Sequence, residues 1–168
     1  MKNYSLSNHL HRDSDSISPN HSDSNILNCM MDFQKLAQYQ IQLGQMMRNH
    51  NQFHNCLVLC DRAMFSMAKA VYVHRNQIIS SSINLSMTNL LALIHTDAEP
   101  NLDMVLFIGT VHYLISAEDN AHNKPMKLEE VDRLLSRTDH ILIRLSQRIV
   151  ADPAERYQSI FIKKRSIK

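Results

Sequence analysis

Two glycines and four prolines in 168 residues leave this chain few places to reverse direction sharply. A sheet protein of that length needs turn residues about every eight to twelve positions, whereas helices need them only near their ends. The scarcity therefore predicts an all-α fold. Hydrophobic residues at 44% and charged residues at 20% fit globular material with a buried core. A chain of this length forms one domain without needing disulfides or a metal.

The clearest periodic segment closes the chain. Leu128, Val131, Leu135, Thr138, Leu142, Leu145 and Ile149 alternate at three and four residues, with Arg133, Arg137, Arg144 and Arg148 largely outside that seam. Glu129 and Glu130 suit its first turn, as does Pro125, and Pro153 marks the stop. A first helix is predicted from Asp32 to Arg48, with Phe33, Leu36, Gln40, Leu43 and Met47 facing inward and Asn49, His50 and Asn51 breaking it. A second runs from Gln52 to Asn76 on Phe53, Leu57, Cys60, Met64, Met67, Val71 and His74. After Ser80, Ser81 and Ser82, a short third helix uses Met87, Leu90, Leu91 and Ile94 before Pro100. A fourth, Leu102 to Ala117, has Leu102, Val105, Leu106, Gly109 and Tyr113 as its inward set, with Gly109 allowing a close crossing.

Loops this short predict an antiparallel up-down bundle of four to five helices. Three zones follow: a flexible polar leader over 1–28, rich in Ser, Asn and His; the bundle over 29–150; and a basic C-terminal tail over 151–168. The leader is net −1, the middle balances eleven basic residues against eleven acidic ones, and the tail is net +3, giving the total of +2. In the tail, Arg156, Lys163, Lys164, Arg165 and Lys168 are the candidate nucleic-acid contacts, although a short basic terminus is more often simply solvated. Three cysteines cannot all pair within one chain and no secretory signal precedes them, which predicts a cytoplasmic location. No apolar run approaches the roughly eighteen residues that suggest a membrane span. Cys56 and Cys60, one helical turn apart, are predicted as buried packing residues. Ten methionines are predicted chiefly as core, with a partner interface through residues such as Met46, Met47, Met64 and Met67 as the less frequent use of such residues.

The second helix reads DRAMFSMAKAVYVHR from Asp61 to Arg75. Leu102 to Tyr113 is followed by a polar loop and then Pro125-Met-Lys-Leu-Glu-Glu-Val opening a long closing helix. In order, spacing and texture, Phe33 to Val150 resembles the HEPN superfamily. That resemblance implies a helical bundle, commonly dimeric, that either cleaves RNA or serves as a non-catalytic partner, often of a nucleotidyltransferase. Catalytic members share an Arg, four to six residues, then a His near the penultimate helix, where the pair handles a ribose hydroxyl proton and phosphate charge. Leu102 to Asn123 holds His112 and His122 but no Arg, so that pair does not carry over.

Arg48 and His54 have the spacing elsewhere, at the turn between the first two helices. With ten Arg and ten His in the chain, about two such matches arise by chance. Glu118, Asp119 and His122 gather in one loop, and His95, Asp97 and Glu99 precede Pro100, without a predicted partner from another helix. No cofactor or metal is implied. The sequence thus predicts a non-catalytic HEPN-like bundle that binds a protein partner and forms a homodimer. The alternatives are a metal-independent, toxin-like ribonuclease with a displaced site at Arg48 and His54, and a nucleic-acid-binding adaptor using the basic tail.

Overall fold

A computed structural model describes residues 19–78, 83–95, 102–116, 126–150, 152 and 154–161. The described residues form five helices and no strand: α1 Pro19–Asn49, α2 Phe53–Asn76, α3 Met87–His95, α4 Leu102–Ser116 and α5 Leu128–Ser146. The all-α expectation holds, and no helix is long and apolar enough to cross a membrane among the described residues.

Helix boundaries follow local chemistry. At the end of α1, Asn51 takes a left-handed conformation at φ 57°, which Asn tolerates better than most residues. The Gln52 N–H reaches back to the Met47 carbonyl at 2.9 Å and the Asn51 N–H to that of Arg48 at 3.1 Å, satisfying carbonyls that a helix end leaves open. Gln77 ends α2 in the same way, at φ 53°, with its N–H on the Val73 carbonyl. Before α5, the Lys127 N–H donates to the Glu130 carboxylate at 2.8 Å, so Glu130 serves the helix start as its position predicts.

The start of α1 differs from expectation. Helix begins at Pro19, not Asp32, so residues 19–28 of the predicted leader belong to α1. Pro19 occupies the one helical position where its missing N–H costs nothing. Ile26 and Met30 are buried, and they extend the apolar face of α1 upstream.

That face is also rotated from the predicted one. The buried line of α1 is Ile26, Met30, Gln34, Ala37, Ile41 and Gly44, whereas Phe33, Gln40, Leu43 and Met47 are half-buried and Leu36 is exposed. The reason is close packing. A β-carbon added at Gly44 would lie 3.6 Å from both Leu135 and Leu59 and 3.8 Å from the Cys56 carbonyl, so Gly44 faces α2 and α5, and Ala37 is fully buried on the same line. Gln40 accepts a hydrogen bond from the Ser66 hydroxyl at 2.8 Å, and Lys69 lies over the Phe33 ring at 5.8 Å.

Helix α2 is the axis of the fold, packing against α1, α3, α4 and α5. Leu57, Cys60, Met64, Met67 and Val71 are buried as predicted. So are Cys56, Ala63, Ala68 and Ala70 flanking that line, and Val73 on another side, while His74 is exposed. Helix α5 keeps its predicted seam from Val131 to Leu145, Ile149 is buried in the turn that follows, and Leu128 is exposed at the start. Met30, Met64, Met67 and Met104 are core residues, and Met46 is exposed.

Candidate functional site

Helix α4 departs furthest from expectation. Its sequence, LDMVLFIGTVHYLIS, is apolar nearly all round, with Asp103 its single charged residue apart from His112. Met104, Ile108 and Val111 are buried against the bundle. The predicted inward set is largely the outward one: Leu102, Leu106 and Tyr113 are 64%, 60% and 68% exposed, and nothing lies within 4 Å of where a Gly109 β-carbon would stand. The predicted close crossing at Gly109 is therefore absent among the described residues. Helix α4 rests on α2 and α3, and those contacts select a buried face that periodicity could not single out.

At 100° per residue, Leu102, Leu106, Gly109 and Tyr113 fall within about 60° of each other, as a row roughly 16 Å long. Together with Leu114 they leave on the order of 400 Å² of largely apolar surface in water, comparable to the largest such patch on an ordinary monomer. Along one border, Arg137 of α5 pairs with the Asp103 carboxylate and lies over the Phe107 ring at 4.8 Å. Among the described residues, the α4 carboxylate beside the row is thus paired within the chain.

On the α2 side of α4, His112 points Nδ1 at both carboxylate oxygens of Asp61, each at 3.4 Å, and its ring centre lies 5.5 Å from that of Phe65. At 3.4 Å the contact is longer than a normal hydrogen bond. Asp61 is 13% exposed and His112 41%. Burial pushes the Asp61 carboxyl above the usual range, and His112 and Arg62 partly offset this. An imidazole oriented by a carboxylate has the form of an acid-base pair. Helix α4 itself carries no Arg.

The Arg48 guanidinium makes a two-pronged pair with Asp132 of α5, at 2.6 and 2.7 Å, and a further bond to Asn49 at 3.2 Å. That pairing holds the Asp132 carboxyl below, and the guanidinium above, their ordinary values. His54 is exposed in the first turn of α2. Nearby, the buried Cys56 and Cys60 thiols interact. The hydrogen bond from Cys60 lowers the Cys56 thiol, and making that bond, together with burial, raises Cys60. No group of three or more His, Cys, Asp or Glu side chains is arranged to hold a metal ion among the described residues.

The basic tail is only partly a tail. Residues 154–161 lie back across α1 and α5 on a buried polar network. The Asp139 carboxylate accepts from the Tyr157 hydroxyl at 2.5 Å, the Ser159 hydroxyl at 2.6 Å and the Ile160 N–H at 3.0 Å. The Tyr157 N–H donates to Ser146 at 2.8 Å, and Gln34 donates to the Glu155 carbonyl at 2.6 Å. Burial and the Asp139 carboxylate raise the Tyr157 phenol far above its ordinary value. Arg156, a predicted nucleic-acid contact, donates to the Val150 carbonyl at 2.8 Å. Lys163, Lys164, Arg165 and Lys168 lie outside the described residues, as do Glu118, Asp119, His122, Asp97 and Glu99.

Asp61, Asp132, Asp139 and Tyr157, which organise these clusters, were not singled out by the sequence. Each meets its partner across 18 to 84 positions of chain, and no local spacing signals such a pair. Compared with protein-family models, curated proteins and solved structures, the chain matches none.

Proposed function

We propose that this chain is a non-catalytic, HEPN-like bundle that acts by binding protein, as a homodimer and as the partner of another protein such as a nucleotidyltransferase. The observation that carries this is the outward apolar row of α4. Water-exposed Leu102, Leu106 and Tyr113 gain free energy only when another surface covers them, at about 25 cal/mol for each Å² of apolar area removed. An antiparallel up-down arrangement is supported by the α1–α2 partners, since Phe33, Gln40 and Gly44 meet Lys69, Ser66 and Cys56 in descending order.

The ribonuclease alternative draws less support, because the Arg48 guanidinium is engaged by Asp132 and Asn49 rather than presented to a phosphate. Sedimentation of the full chain tests the proposal. Wild type is expected to associate reversibly, and Leu106→Glu with Tyr113→Glu to abolish association while leaving the helical circular dichroism intact. Metal-independent RNA cleavage that disappears in Arg48→Ala would overturn it in favour of the enzyme.

A further inference from the structure

Resting on that proposal, we infer that the surface covering α4 is α4 of a second copy, crossing it antiparallel about a two-fold axis at Gly109.

Three observations favour a second copy. The first is position. Gly109 lies midway along Leu102–Ser116 and within the exposed row, with Leu106 three residues before it and Tyr113 four after. A two-fold axis through that point brings Leu106 of each copy opposite Tyr113 of the other and sets backbone against backbone where no side chain intervenes. Self-complementarity of this kind is what a two-fold interface requires. The open space around Gly109 supplies the notch such a crossing needs, since nothing in the same chain fills it among the described residues.

The second observation is charge. Asp103 is already paired with Arg137, and the guanidinium is further occupied over Phe107. As far as the described residues go, two identical faces therefore meet without like-charge repulsion, and they offer a strongly acidic or basic partner no unpaired complementary charge.

The third is area. Two copies would hide about 800 Å² from the row and Leu114 alone, and the flanking Thr110 and Asp103 would add to that, reaching the roughly 1,000 Å² at which specific interfaces begin. An interface of that size and apolar character is expected to give micromolar rather than nanomolar association.

Gly109 makes the inference testable, because a β-carbon there meets no described atom within 4 Å, so a larger side chain is expected to clash across the axis. The full chain is compared by sedimentation between about 1 and 500 µM as wild type and Gly109→Leu. In a Cys29→Ser background, Gly109→Cys and Tyr39→Cys are then oxidised. Tyr39 stands exposed on the outer side of α1 and reports contact through a different face. The expected result is a concentration-dependent wild-type dimer, at least tenfold weaker dimerisation in Gly109→Leu with an unchanged or higher melting temperature, and disulfide-linked dimer from Gly109→Cys but not Tyr39→Cys. A dimer indifferent to Gly109→Leu and cross-linked through Tyr39→Cys would overturn the α4 contact and leave the proposed function standing. A chain that stays monomeric throughout would overturn both. A melting temperature lowered by Gly109→Leu in dilute, monomeric protein would mean that another segment of the same chain covers α4, and would overturn the second-copy inference alone.

Discussion

The segment 154–161 and helix α4 divide polar and apolar character in opposite ways. The first is polar in sequence yet buries Tyr157 and places the Ser159 hydroxyl and three backbone N–H groups on side chains of α1 and α5. The second is almost wholly apolar yet leaves Leu102, Leu106 and Tyr113 in water. Burial thus follows available partners rather than polarity alone. A polar segment is buried at little cost when every donor finds an acceptor, as the three donors to Asp139 do. An apolar helix can bury only as much surface as its neighbours cover, and α4 meets α2 and α3 on one side.

The strongest way to break this contrast is to remove the acceptor beneath the C-terminal segment. Asp139→Ala would strand three donors, each worth about 1 kcal/mol or more when left unmade. The expected loss is about 3 kcal/mol or more by urea denaturation, with faster proteolysis after Val150. Within α4, the fully buried Ile108 offers the next effect: Ile108→Ala is expected to cost about 2–4 kcal/mol, as core truncations do.

Tyr157→Phe is expected to cost about 1.5–3 kcal/mol, the range for a hydrogen bond to a charged acceptor. Its sign with pH is defined. The folded phenol titrates above its ordinary value, so its stabilisation is fully present below about pH 10 and is lost as pH rises beyond that. Melting temperatures of wild type and Tyr157→Phe should therefore converge above pH 10, and parallel curves would argue against the buried bond.

Asp61→Asn should act in the other direction. Because burial raises the Asp61 carboxyl, its ionised form weakens the fold as pH rises through the folded value. At neutral pH the variant is expected to melt slightly higher than wild type, and the advantage should vanish once both are compared in acid, where Asp61 is protonated. The smallest expected effect completes the contrast. Leu106→Ala in dilute protein should change stability by less than about 0.5 kcal/mol, against the much larger loss from Ile108→Ala two residues away. Equal losses would mean that both faces of α4 are covered within one chain.

Much of the architecture was legible before any coordinates. The turn at Asn49–Asn51, the extent of α2 and the seam of α5 came directly from residue type and spacing. Helix α5 was readable because its apolar residues and most of its charged ones separate, with Asp139 the buried exception, so one rotation buries the seam and leaves Glu129, Glu130, Arg133 and Arg137 in water. Helix α1 was not, because its buried line includes Gln34, Ala37 and Gly44, residues that carry little hydrophobic signal. The clusters around Asp61, Asp132 and Asp139 leave no local signature because they join distant positions.

The sequence by itself determined that the described chain is helical, and roughly where most of its helices begin and end, because capping and helix breaking act within a few residues. Which side of α1 and α4 faces inward was decided only by tertiary structure. When a helix is apolar nearly all round, as α4 is, its own periodicity fits several rotations about equally well, and the shape of the neighbouring helices selects among them.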